Sequence, residues 1–134
     1  RTSYTWLDTV ILAVDRSPLV APPPFSVGDP LVRRPRHQAS LDVVWTHGPV
    51  TAYARVWGRS GMLDVEPSWG AIYGGLFNAP GFAVANAGVS LAVGRGINLV
   101  ARFDNLLDRQ YEAVFGYPAP RRSFAVGVRF AQGR

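Results

Sequence analysis

The chain has 134 residues, no cysteine, and 14 basic residues, all arginine, against 9 acids, for a net charge of +5. The lack of cysteine excludes a disulfide framework and a thiolate metal site, while the basic balance admits nucleic acid, anionic lipid or an acidic ligand as partner. Charged residues make up only 17%, beside 4 Trp, 5 Tyr and 7 Phe, which is sparse charge and many aromatics for a nucleic-acid module.

No apolar run approaches the ~18 residues of a membrane-spanning helix. The stretch from Val10 to Val14 is short and is flanked by Asp8 and Asp15. Strands that cross a membrane in a barrel need only about 9–11 residues and leave a much weaker signal. The chain opens on Arg1, directly in strand-like sequence, without the charged and apolar regions of an export signal.

In chain order, Thr2 to Asp8 reads as a strand, with Tyr4 and Trp6 on one face and Ser3 and Thr5 on the other. A connection of residues 9–36 follows, carrying Pro18, Pro22, Pro23, Pro24, Pro30 and Pro35. Proline cannot donate to a sheet ladder, so this is loop. Gln38 to Thr46 is the second strand: Ala39, Leu41, Val43 and Trp45 face one way, Gln38, Ser40, Asp42 and Thr46 the other. After the tight turn His47-Gly48-Pro49, Val50 to Arg59 returns, setting Val50, Ala52, Ala54 and Val56 against Thr51, Tyr53, Arg55, Trp57 and Arg59. If one face meets lipid, the arginines must take the other, since a lipid-facing Arg near the bilayer midplane costs about 2–4 kcal/mol. Tyr53 and Trp57 go inward with them.

A second long loop spans residues 61–81, with Trp69-Gly70, Gly74-Gly75 and Pro80-Gly81. Phe82 to Val93 is a strand whose later half alternates, with Val89, Leu91 and Val93 against Ser90 and Ala92. Gly94-Arg95-Gly96 is a short hairpin turn; it lacks the spacing and lysine of a phosphate-cradling loop. Ile97 to Asn105 runs back, with Ile97, Leu99, Ala101 and Phe103 opposite Asn98, Arg102 and Asp104. A third loop covers 106–121, and the closing strand from Arg122 to Phe130 alternates strictly. Phe124, Val126, Val128 and Phe130 share one face; Ser123, Ala125, Gly127 and Arg129 share the other.

The expected fold is therefore all-β, an antiparallel up-and-down meander of about six strands. Its connections alternate long, short, long, short, long. In a meander, alternate connections fall at the same end of the sheet, so all long loops gather at one end and both tight turns at the other. Outer-membrane barrels sort their loops in this way, with short periplasmic turns and long outer loops. Six strands are too few for a closed barrel, since the smallest have about eight, and lipid tolerates no open sheet edge. The chain is expected to be a portion of a larger transmembrane β-barrel.

The segment from Asp104, Asn105, Leu106 and Leu107 through Asp108, Arg109 and Tyr111, then Gly116, Tyr117, Pro118, Ala119 and Pro120, then the strand ending at Phe130, resembles the C-terminus of TonB-dependent outer-membrane receptors. That family carries an N-L-F-D-(R/K)-x-Y block, a G-Y-P-x-P loop and a last strand closing on an aromatic. Here Leu107 stands where Phe is usual, and residues 131–134 extend past the aromatic. Arg33-Arg34-Pro35-Arg36-His37 resembles an upstream element of the same family.

The resemblance implies residence in the outer membrane of a Gram-negative bacterium and active uptake of a siderophore–iron complex or cobalamin. Energy would come through the inner-membrane TonB complex. It also implies that residues 1–134 are the C-terminal portion of the transmembrane β-barrel, lack the family's plug domain and TonB box, and supply wall strands and outer loops, about 9–36, 61–81 and 106–121, where ligand contacts would lie. Phe124, Val126, Val128 and Phe130 would serve as the assembly signal.

The rival readings are a passive porin-like barrel fragment and a soluble basic β-domain that binds nucleic acid. Both fit the sorted loops less well.

No catalytic constellation, cofactor site or metal site stands out, and an enzyme is not expected. His37 and His47 sit at opposite ends of one strand and cannot share a metal. Asp104, Asp108 and Glu112 read either as a calcium-binding loop or as a solvated acidic one. Arg33, Arg34 and Arg36, with Arg121 and Arg122, are candidate contacts to lipopolysaccharide phosphates, which guanidinium groups bind bidentately. Tyr4, Trp6, Trp45, Phe82, Phe103, Phe124 and Phe130 lie near strand ends, as interfacial aromatic girdles require.

Overall fold

A computed structural model describes residues 1–14, 25–66 and 75–130. The proline run Pro22–Pro24, the Trp69-Gly70 pair and the tail 131–134 lie outside the described residues. Among the described residues every regular element of any length is a strand, and no helix is long and apolar enough to cross a membrane.

Six strands form one sheet. They are β1 (Thr2–Trp6), β2 (His37–His47), β3 (Val50–Arg59), β6 (Phe82–Gly94), β7 (Ile97–Asp104) and β10 (Ser123–Phe130). Their order in the sheet is β1-β2-β3-β6-β7-β10, so each main strand lies beside the next in sequence, an up-and-down antiparallel arrangement. The alternation read from the sequence locates all six, because period-2 patterning is the strand's own geometry.

Two small hairpins occur in stretches read from sequence as loop. β4 (Met62–Val65) pairs with β5 (Leu76–Ala79), and β8 (Glu112–Val114) with β9 (Tyr117–Pro118). Four residues or fewer per strand give no periodicity to read.

The turn between β6 and β7 has two residues, Arg95 and Gly96, both with positive φ (51° and 76°). That is the primed geometry whose twist matches the flanking strands. Glycine adopts it freely; Arg95 is held there by the closing Gly94–Ile97 pair.

The chain divides into two compact units. The first comprises Arg1–Ser3, Ala39–Gly58 and Ala83–Arg134, the second Tyr4–Gln38 and Arg59–Phe82. In the first unit the register puts like with like. Val126 lies opposite Ala101, which faces Val89; Val128 lies opposite Leu99, which faces Leu91; and Phe124 lies opposite Phe103. The last two rings meet at 4.7 Å between centroids, so cross-strand pairs build one continuous apolar face.

That face is uncovered. Val126 is 72% exposed and Phe130 76%, and all eight residues of β10 are exposed. Contiguous apolar surface of this extent needs a partner phase or partner chain. Among the described residues those buried in the first unit are Val84, Gly88 and Asn105, and in the second Asp64, Gly75, Ala79 and Phe82. Phe82 therefore departs from the expectation for a girdle aromatic. It is buried, with the Arg59 guanidinium 4.8 Å above its ring, a cation–π arrangement.

Candidate functional site

In the first unit, the loop after β7 is organised by Asn105, which is 3% exposed and sits in the left-handed region at φ 52°. Asn tolerates that region better than most residues. Its side-chain amide donates to the Arg109 carbonyl (2.8 Å) and the Pro120 carbonyl (3.1 Å), its Oδ1 accepts from the Arg109 N–H (2.8 Å), and its own N–H donates to Asn86 Oδ1 (2.8 Å). One residue thus ties both ends of the loop together and to β6, with both amide hydrogens and the side-chain oxygen engaged.

Asp108 completes the clasp. Arg121 grips it bidentately, Nε to Oδ1 at 2.9 Å and Nη2 to Oδ2 at 2.5 Å, and the Arg122 N–H donates to Oδ1 at 3.0 Å. The Arg121 guanidinium, and then the Arg122 N–H, hold the Asp108 carboxyl well below the usual carboxylate range. The Asp108 N–H donates to the Asn105 carbonyl, and Asp108 has φ 51°.

The other segments singled out in sequence take separate places. Leu106 donates its N–H to the Ala85 carbonyl, and the Ala119 N–H donates to the Tyr111 carbonyl. The Tyr111 ring meets Trp57 edge-on at 6.4 Å. Gly116 turns the β8–β9 hairpin at φ 79°, its N–H donating to Glu112 Oε2; Tyr117 and Pro118 form β9. The three acids do not converge. Asp104 pairs with Arg102 (2.8 Å), Asp108 with Arg121, and Glu112 with Gly116. Among the described residues no His, Asp or Glu group is arranged to hold a metal.

The second unit has its own arginines. Arg33, at φ 58°, donates from Nε to Asp64 Oδ1 (2.6 Å) and from Nη2 to the Val65 carbonyl (3.1 Å). Asp64 is buried and also accepts from the Val65 N–H (2.7 Å), so the pair fastens the 25–36 segment to β4. Arg36 pairs with Asp8 at 2.9 Å, both groups exposed. Arg34 donates to the Arg33 carbonyl at 3.2 Å. A cleft of about 830 Å³ lies here, lined by Leu7, Asp8, Arg34, Met62, Leu76 and Pro80 among others. His37 accepts or donates a 2.9 Å hydrogen bond with the Tyr4 hydroxyl, while in the first unit His47 stacks on Trp45.

The face of the first unit opposite the apolar one is mixed, with polar side chains beside Val100. Asp42 accepts from Arg55 across β2 and β3, and Thr46 meets Thr51 at 3.3 Å. The Tyr53 ring lies on Gly88, and Gly88 is the register partner of Arg102, so Tyr53 shares the face of the arginines. A cleft of about 460 Å³ lies on this face, lined by Thr51, Tyr53, Ser90, Arg102, Gly127 and Arg129 among others. Sequence reading placed these residues on one face. It missed the contact between Tyr53 and Gly88, the part played by Asn86, and the buried pairing of Asp64, none of which has a local signal.

No protein-family model matches the chain, and no curated protein matches it in sequence. Among solved structures it is similar to the siderophore receptor PiuA from Acinetobacter baumannii, with a TM-score of 0.75 and 19% identity. The match covers 96% of this chain and 19% of that receptor. The chain thus has the fold of one segment of a receptor barrel, and it spans about a fifth of that protein's length.

Proposed function

We propose that this chain forms the closing part of the wall of a TonB-dependent outer-membrane receptor. That receptor would take up a siderophore–iron complex or cobalamin in a Gram-negative bacterium. The observation that carries this reading is the uncovered apolar face of β6, β7 and β10, assembled in register opposite a face bearing Arg102 and Arg129. Lipid on one side and a wet lumen on the other account for both faces at once. The fold likeness to a siderophore receptor supports it.

In this reading the outer connections are 9–36, 61–81 and 106–121, and the cleft of the second unit lies among residues of the first two. The rest of the wall, a plug and the TonB-contacting segment would belong to the same receptor beyond this stretch. Phe124, Val126, Val128 and Phe130 would present the assembly signal. Of the arginines proposed to meet lipopolysaccharide phosphates, Arg33, Arg36 and Arg121 already hold carboxylates. The guanidinium groups of Arg34 and Arg122 form no salt bridge among the described residues and are the better donors to phosphate.

The test is ligand uptake by cells producing the intact protein, with and without a functional TonB complex. Uptake of a ferric siderophore or cobalamin that stops when TonB is removed supports the reading. Uptake that continues would make the barrel a passive pore, and protein recovered monodisperse without detergent would remove it from the membrane.

A further inference from the structure

The two tight turns of the first unit lie side by side. The Ala92 N–H, just before the β6–β7 turn, donates to the carbonyl of Pro49 in the β2–β3 turn at 2.8 Å. Phe130 is the register partner of Ile97, and Ile97 that of Gly94, so the apolar face ends at the same level. Residues 44–52, 90–100 and 126–130 make up this rim. They contain no Asp or Glu, against His47, Arg95 and Arg129. Asp42, further along β2, is paired with Arg55.

Arg95 is exposed and held at φ 51°, a conformation that Gly, Asn or Asp adopts more readily. An arginine at a strained turn position calls for a role for its side chain. Among the described residues its guanidinium forms no salt bridge. His47, also exposed, stacks on Trp45, with ring centroids 5.8 Å apart and planes 16° apart. Thr46, between them in the chain, meets Thr51, which lines the cleft on the other face. Trp45 and His47 are therefore on the apolar side, at its edge.

We propose that this rim binds the phosphodiester headgroup of an anionic phospholipid in the leaflet opposite the long loops, with Arg95 and the His47–Trp45 stack as its contacts. The proposal rests on the barrel reading, which sets the apolar face in lipid. Arginine gives phosphate oxygens paired charge-assisted hydrogen bonds. Trp and His rings, each with an apolar body and a polar edge, suit the headgroup zone. The lack of carboxylates on the rim sets the sign of the selection. An ethanolamine headgroup brings an ammonium that finds no acid there, whereas a phosphoglycerol headgroup brings only negative charge. Each basic residue at the bilayer surface adds to the attraction for anionic lipid. Arg129, on the other face of β10, adds to the positive field without touching the headgroup.

The test delipidates the intact protein in neutral detergent and offers it an equimolar mixture of phosphatidylglycerol and phosphatidylethanolamine. Native mass spectrometry then counts the lipid retained. The unaltered protein should retain phosphatidylglycerol in preference. Arg95→Gln should reduce that preference about fivefold, and Arg95→Gln/His47→Gln further. Arg95→Lys keeps the charge and should keep part of the preference. Arg95→Gly relaxes the backbone but removes the charge, so it should lose as much preference as Arg95→Gln with no loss of folded protein. Arg109→Gln, in the long connection 106–121, should leave the preference within about twofold.

Equal retention of the two lipids by the unaltered protein overturns the proposal and leaves the barrel reading standing. An unchanged preference in the double variant overturns it too, as does an equal loss in Arg109→Gln, which would mark overall charge. Arg95 variants that lose lipopolysaccharide and keep phosphatidylglycerol would also overturn it. If the intact protein is monodisperse without detergent and retains neither lipid, the barrel reading falls and the lipid site falls with it.

Discussion

The ring of Tyr53 lies directly over the backbone of Gly88, where any Cβ would collide with it. A Cβ at residue 88 would come within 2.8 Å of Tyr53 Cζ and 2.9 Å of the Ala101 carbonyl oxygen. The aromatic side chain covers the backbone that the glycine exposes, and this contact ties β3 to β6 on the polar face. Gly88→Ala is expected to destabilise the folded protein by about 1–3 kcal/mol, as overpacking does. Adding Tyr53→Ala should recover only part of that, because the Ala101 carbonyl remains in the way. Thermal unfolding in detergent, followed by the gel-mobility shift of folded barrels, measures both. Full recovery in the double variant would show that the carbonyl contact costs nothing.

Asn105 holds its loop through side-chain bonds to the Arg109 N–H and to the Arg109 and Pro120 carbonyls, at a site only 3% exposed. Asn105→Ala leaves those groups unpaired and should cost about 1–3 kcal/mol. Asn105→Gly relieves the positive φ but loses the same bonds, so it should be nearly as damaging. Limited proteolysis of residues 106–121 reads the result directly. A loop in Asn105→Gly as protected as in the unaltered protein would mean that φ alone matters there.

The Asp108 carboxyl is held below its ordinary range by Arg121, so its contribution to loop order has a defined pH dependence. A group whose folded pKa is depressed stabilises above its unfolded value, and the contribution disappears as pH falls toward the folded value. The clasp should therefore be complete from neutral pH down to about pH 4, the ordinary value for Asp, and loosen only below it. Acid-tolerant proteolysis across that interval should show constant protection, then a rise in cleavage. Asp108→Asn should expose the loop at every pH. A change already evident between about pH 7 and about pH 5 would point to a different group.

Val89 and Ser90 are neighbours on β6 that face opposite ways. Val89 pairs with Ala101 and, beyond it, Val126 on the apolar face, and Ser90 lines the polar cleft. If the apolar face meets lipid, Val89→Arg should cost about 2–4 kcal/mol and impair assembly, whereas Ser90→Arg should be nearly neutral. The folded fraction in outer membranes measures both. Equal effects at the two positions would contradict a lipid-facing surface.

Much of the architecture was legible in the chain itself. Strict alternation from Phe124 to Phe130 and from Val89 to Val93, Pro18 to Pro35 in the first connection, and Gly94-Arg95-Gly96 between two strands all report local backbone geometry. Strand period, proline's missing donor and positive φ are properties of single residues and their immediate neighbours. They suffice to order six strands, to place each side chain on one face or the other, and to put residues 106–121 in the connection before the last strand.

The tertiary structure decided what depends on residues distant in sequence. Asn105 reaches Asn86 and Pro120, Arg33 reaches Asp64, and Tyr53 reaches Gly88 only after the strands have paired. Phe82 looked like a girdle aromatic because alternation records which face a residue takes, not what covers it; Arg59 covers it. The hairpins β4–β5 and β8–β9 are too short to have a period; the Gly61 and Gly81 backbones lie against each other beside the first, and Asn105 ties together the loop that carries the second. Local sequence sets the conformation of each strand through sterics, whereas burial and hydrogen-bond pairing depend on which strands become neighbours.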